Sequence, residues 1–107
     1  MQKEIFLASN LKYLRNLKGV SLAKLGALFE KSDVAMYKWE NALAEPGAAD
    51  LFKLSIYYDI DIDTLIKVDL RNVPKEELSN YSTMNDIKRL DPKNRKIVEN
   101  LIEQLKD

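Results

Sequence analysis

"SDVAMYKWEN", residues 32–41, reads as one short helix with two unlike sides. Ser32 is a helix-capping residue, because its side-chain oxygen can accept a backbone N–H of the first turn. Met36 and Trp39, three positions apart, share a face and are the pair such a helix would bury. Asp33 and Tyr37, and likewise Val34 and Lys38, are four apart and fall on the outward side. A helix this short is not stable alone. The stretch therefore predicts a small helix clamped by its neighbours, with a mixed polar surface turned outward.

Working upstream, Leu7, Leu11 and Leu14 recur at four- and three-residue steps and mark one face of a first helix. Gly19 stops it, and Lys18 suits its C-terminal dipole. Ser21 then caps a second helix, "LAKLGALF" (22–29), with Leu25, Leu28 and Phe29 facing inward. Downstream, "ALAEPG" (42–47) is a loop ended by Pro46 and Gly47. A fourth helix runs from about Ala48 to Tyr58 on Leu51, Leu54 and Tyr58. Asp59 ends it, and Asp61 caps a short fifth helix, "IDTLIKV". No segment alternates as a strand would, so the domain over residues 1–68 reads as all-α, built of five short helices.

Beyond Leu70 the chain changes character. Residues 69–82, including "RNVPKEELSNYS", are polar and hold one proline, so they read as a linker or loose bridge. "STMNDIKRL" (82–90) suggests a short helix. "DPKNRKIVENLIEQLKD" (91–107) is a clear amphipathic helix: Asp91 caps it, Pro92 takes its first position, and Ile97, Val98, Leu101, Ile102 and Leu105 recur along it. The segment 83–107 is expected either to cover the five-helix domain or to form a dimer seam, and dimerisation is the favoured expectation.

Composition narrows the chemistry. The chain of 107 residues is 46% hydrophobic, enough for a globular core, and has neither cysteine nor histidine. Disulfides, thiol nucleophiles, ordinary zinc sites and imidazole acid–base catalysis are excluded, and no metal or cofactor is expected. "MQKEIFLASNLKYL" is interrupted by acid and amide groups and is not a signal peptide, and no run is long enough to span a membrane. A cytoplasmic location is expected. The formal charge is zero, with 17 basic and 17 acidic residues. The excess is uneven, since residues 1–46 carry a slight positive surplus and the remainder the balancing negative one.

Taken together, residues of about 7–68 resemble the Cro/CI-type helix-turn-helix, the XRE family of bacterial and phage regulators. "LKYLRNLKGVS" (11–21), "MYKWEN" (36–41) and Glu45–Pro46 before "LFKLSIYYDIDIDTLI" (51–66) carry the resemblance, in register and without gaps. It implies a lambda-repressor-like fold in which the second and third helices form the helix-turn-helix. The third would lie in the major groove of double-stranded DNA, its first half against base edges. Asp33, Val34, Tyr37 and Lys38 then become base-contact candidates, and Lys31, Ser32 and Asn41 phosphate-contact candidates. The resemblance also pairs Arg15 with Glu40 as a buried structural salt bridge. Read from the residues alone, both could be solvated surface charges.

Departures from the family pattern cluster on the DNA side. Leu22 stands where a glutamine commonly opens the second helix, and Glu30 replaces the usual turn glycine, at about 1–2 kcal/mol if it adopts a left-handed conformation. Residues 42–45, "ALAE", occupy a loop where glycine and basic residues are common. Asp33 puts a carboxylate at the head of the reading helix. There it is favoured by the free amides and dipole, and it can accept from the amino group of cytosine, yet it repels phosphate.

The leading functional expectation is a sequence-specific DNA-binding regulator, a repressor acting by occupancy as a homodimer, with regulation entering through a partner protein or oligomerisation. The alternative is a protein-interaction module on the same scaffold: an antirepressor, an antitoxin or a phage-type adaptor. An enzyme would need a carboxylate pair. Asp59, Asp61 and Asp63 are the nearest cluster, and their spacing suits a helix cap and turn.

Overall fold

The computed structural model describes residues 5–84 and 89–106. Within them the chain is all-α. Five helices come first: α1 (Leu7–Lys18), α2 (Leu22–Leu28), α3 (Asp33–Glu40), α4 (Ala48–Tyr58) and α5 (Ile62–Lys67). Two 3-10 turns, Leu70–Asn72 and Lys75–Tyr81, lead toward α6 (Pro92–Gln104). The short helix suggested over 82–90 falls largely on residues 85–88, which lie outside the described residues.

Local chemistry sets the boundaries. Gly19 ends α1 in the left-handed conformation (φ 71°), and its N–H returns to the Arg15 carbonyl at 2.9 Å. Ser21, Ser32, Asp61 and Asp91 each cap the following helix by accepting a first-turn N–H. Asp59 closes α4 at φ 54°, and the Ile60 N–H then reaches back to the Ser55 carbonyl. These tight joints let helices of six to thirteen residues pack without long loops.

Two apolar clusters hold the fold. Leu11, Val20, Leu25, Phe29, Met36, Trp39, Leu54, Ile56 and Tyr57 form the larger one, and Leu14, Ile60, Leu65 and Leu70 the smaller. Asn10, wholly buried, connects the first helix to the second cluster. Its amide donates to the Leu65 and Val68 carbonyls (2.8 and 2.7 Å), and its carbonyl accepts the Leu70 N–H at 3.0 Å. One side chain thus satisfies three backbone groups where α5 ends, a point at which helices leave carbonyls unpaired.

The stretch 69–82 differs from a loose linker. Leu70 is fully buried, and Val73, Leu78 and Tyr81 pack against the smaller cluster. The Tyr81 carbonyl accepts the Asp61 N–H at 2.8 Å, and Ser82 Oγ donates to Asp59 at 2.8 Å. Asp69 caps the first turn and grips the Arg71 guanidinium at 2.9 Å; that hydrogen bond holds its carboxyl below the usual carboxylate value and raises Arg71. Composition called the segment polar, but every few residues one apolar side chain anchors it.

α6 lies against α4. Val98 and Leu105 are buried in the larger cluster and Leu101 and Ile102 pack against it, whereas Ile97 is 58% exposed. This helix covers its own domain with one side and leaves another side open.

Candidate nucleic-acid interface

The joint between α2 and α3 is built on Gly26. A Cβ there would stand 2.7 Å from the Lys31 carbonyl oxygen and 3.2–3.3 Å from backbone atoms of Ser32 and Asp33. Only glycine lets the chain fold back so closely onto α2. The Gly26 carbonyl in turn accepts the Lys31 N–H at 2.8 Å, and Glu30 makes the turn at φ 56°. Glu30 does occupy the left-handed region, so the turn carries the strain that the missing glycine implies.

α3 is mounted from its inner side. Met36, Trp39 and Glu40 are buried at 1%, 7% and 6% exposure. Arg15 Nε donates to Glu40 Oε2 at 2.7 Å, and Arg15 Nη1 to the Val20 carbonyl at 3.0 Å. The pair therefore locks the end of α3 to α1 and to the loop after it. Past the helix, Ala42 turns at φ 58°, and the Leu43 and Ala44 N–H groups both point at the Lys38 carbonyl (2.9 and 3.3 Å). Ala42 thus supplies without glycine the left-handed step that this loop requires.

Asp33, Val34, Tyr37 and Lys38 are all exposed, Val34 and Tyr37 to more than half of their surface. Asp33 Oδ1 accepts the Val34 N–H at 2.9 Å, as expected of a carboxylate in a first helical turn. Ser32 Oγ accepts the Ala35 N–H at 3.0 Å, which leaves its own hydrogen to donate outward. Asn41 donates one amide hydrogen to the Tyr37 carbonyl at 2.8 Å. Lys31 Nζ lies 3.5 Å from Asp50 Oδ2 on the first turn of α4. Leu22 is half-buried and packs against the larger cluster, so the residue that replaces the glutamine serves the core. The candidates are thus gathered around one helix, its cap and its C-terminal turn.

Sequence reasoning passed over Gly26, Asp50 and Asn10. A glycine inside a helical pattern is a signal of close backbone approach, so Gly26 was findable. Asn10 and Asp50 act on partners far away in sequence and carry no local signal. Among the described residues, no cluster of acidic side chains is placed to hold a metal ion, and no helix is long and apolar enough to cross a membrane.

Two consecutive helices joined by a tight turn, the second fixed inward and open outward, define a helix-turn-helix protein. Comparison with known families agrees: the helix-turn-helix family model matches residues 11–65, just over half of the chain. The chain belongs to that family, in its Cro/CI or XRE type, whose members are DNA-binding regulators. No curated protein and no solved structure matches it.

Proposed function

We propose that this protein is a sequence-specific transcriptional repressor that binds its operator as a homodimer, placing α3 in the major groove. The observation that carries the reading is the two-sidedness of α3. Its inner residues are fixed by the core and by Arg15–Glu40, while Val34, Tyr37 and Lys38 project from the opposite side. A reader must be held rigidly to convert side-chain position into base preference.

Each exposed group has a chemistry suited to the groove. Val34 fits a thymine methyl, Lys38 reaches guanine or the backbone, and Tyr37 donates to a phosphate or packs on a base edge. Asp33 accepts from a cytosine amino group through the oxygen that does not cap the helix. Ser32, Lys31 and Asn41 flank these groups and set the register on phosphates. Repression follows from occupancy alone and needs no bound cofactor.

The dimer seam is assigned to the open side of α6. Ile97 stands exposed there, with Lys93 and Lys96 toward the helix start and Glu103, 3.0 Å from Lys106, toward its end. A second copy running antiparallel sets opposite charges against each other, the self-complementarity a two-fold interface needs.

The test is selection from random duplexes at several salt concentrations, with sequencing of the bound fraction. Enrichment of one pseudo-palindromic motif, lost in Tyr37→Ala and Lys38→Ala, is the expected result. Absence of binding even at low salt overturns the proposal. A protein-interaction role for the same face would then take its place, for which exposed Val34, Tyr37 and Leu43 would supply the apolar contact.

A further inference from the structure

Lys31 immediately precedes the Ser32 cap of α3, so the residue lies at the leading edge of that helix. Its backbone is not free to drift. The N–H is bonded to the Gly26 carbonyl at 2.8 Å, and the Lys31 carbonyl oxygen stands where a Cβ on Gly26 would come within 2.7 Å of it. Its side chain is turned toward α4, where Nζ meets Asp50 Oδ2 at 3.5 Å; the Asp50 side chain is only 20% exposed and that of Lys31 42%. Asp50 has its own reason to stay. It is the acidic residue of the first turn of α4, whose N-cap is Gly47 and supplies no side-chain acceptor. The carboxylate therefore interacts favourably with the unpaired N–H groups of that turn. The lysine, at the end of a flexible four-carbon stem, is the partner that can move.

We infer that Asp50 is an affinity-setting residue of the DNA-binding face: its carboxylate occupies Lys31 in the place a DNA phosphate would take. The inference rests on the DNA-reading function proposed above. A phosphate approaching α3 must compete for Lys31 with a carboxylate already in contact, and that carboxylate also repels it. Both effects act on the backbone contact, which carries no sequence information. Asp50 therefore weakens binding to every duplex by a similar factor and leaves the ratio between operator and unrelated DNA unchanged. It also lowers the number of counterions released, and with it the salt dependence.

Four full-length proteins test this: the unaltered chain, Asp50→Asn, Lys31→Met and the double variant. Each is titrated against the selected duplex and an unrelated one across a salt series, with thermal melts confirming that all are folded. Asp50→Ser serves as a second substitution at the same position. The expected result is about three- to tenfold tighter binding of Asp50→Asn to both duplexes at about 50 mM salt, with a log–log salt slope steeper by about one. Lys31→Met should weaken the Asp50→Asn protein several-fold more than it weakens the unaltered chain. The inference is overturned if the unaltered chain binds and Asp50→Asn and Asp50→Ser bind no tighter. It is equally overturned if their gain survives undiminished in the Lys31→Met background, because the carboxylate then acts by general repulsion alone and not through Lys31. If none of the proteins binds either duplex, the DNA-reading function itself falls and this inference with it.

Discussion

Replacing Gly26 by alanine sets two effects of known size against each other. Within a helix alanine is favoured over glycine by about 1 kcal/mol, because glycine loses more backbone entropy on folding. Propensity alone therefore predicts that Gly26→Ala stabilises the protein. Packing opposes it. The added methyl would stand 2.7 Å from the Lys31 carbonyl oxygen, where ordinary contact begins at 3.4 Å, and the atoms behind that oxygen are backbone of Ser32 and Asp33. No flexible side chain can swing away. The turn must move outward as a unit, straining the 2.8 Å hydrogen bond from the Lys31 N–H to the Gly26 carbonyl. Overpacking of this kind costs roughly 1–3 kcal/mol, and a weakened hydrogen bond about 1 kcal/mol more. The net expectation is destabilisation by about 1–3 kcal/mol, or a melting temperature lower by about 5–15 °C for a domain of this size. Thermal melts followed by helical circular dichroism, with urea midpoints as a second measure, provide the assay. Ala27→Gly, at the exposed neighbouring position of α2, calibrates propensity at about 1 kcal/mol of loss. A Gly26→Ala protein that melts at or above the unaltered chain would refute the reasoning and show that the α2–α3 turn yields freely.

Further perturbations at three places in the fold follow from the same geometry: the Arg15–Glu40 pair, Asn10, and the two left-handed turn residues. Glu40→Ala leaves the guanidinium of Arg15, whose side chain is only 15% exposed, without its carboxylate and should cost about 3 kcal/mol in urea unfolding. The double change Arg15→Met, Glu40→Met should recover most of that loss; equal destabilisation by both would show that the stranded charge is not the cause. Asn10→Ala strands two carbonyls and one N–H in a buried site, and a loss of about 3 kcal/mol is expected, read as a lower urea midpoint. Glu30→Gly and Ala42→Gly relieve left-handed backbone at φ 56° and 58°, so each should raise stability by up to about 1 kcal/mol after the unfolded-state entropy of glycine is deducted. A drop in melting temperature for either would mean that its side chain, not its backbone, holds the turn.

What could be read from the sequence was whatever acts over three or four residues. Ser21, Ser32, Asp61 and Asp91 announce helix starts because a cap bonds to an amide within its own turn. Met36 and Trp39 announce the inner side of α3 because spacing alone puts them together. Asn10 could not be read this way, since its partners lie 55 to 60 residues away and a buried asparagine looks in sequence like a surface one. The seating of residues 70–81 was hidden for a related reason. Leu70, Val73, Leu78 and Tyr81 are too sparse for a period, and their common surface exists only once Leu14, Ile60 and Leu65 have assembled. Within the candidate interface, exposure of Tyr37 and Lys38 was legible, whereas the engagement of Lys31 by Asp50 depends on how α4 is set against the turn.

That engagement bears on how a protein without net charge could read DNA at all. Affinity for the duplex usually comes first from phosphate neutralisation, yet here one flanking lysine is held by a carboxylate and another carboxylate heads the reading helix. On the proposed function, this reduces the field that would draw the protein onto any duplex and leaves Val34, Tyr37 and Lys38 exposed for short-range contact. A weak single reader of this kind gains occupancy by linkage. When two copies are joined, the second half-site is bound at an effective concentration set by the dimer, and correctly spaced operators gain far more than random sequence does. On the proposed function, the sparse charge at α3 and the open, charge-split side of α6 are two parts of one arrangement: the first weakens binding to every duplex alike, and the second restores affinity only where two half-sites are present.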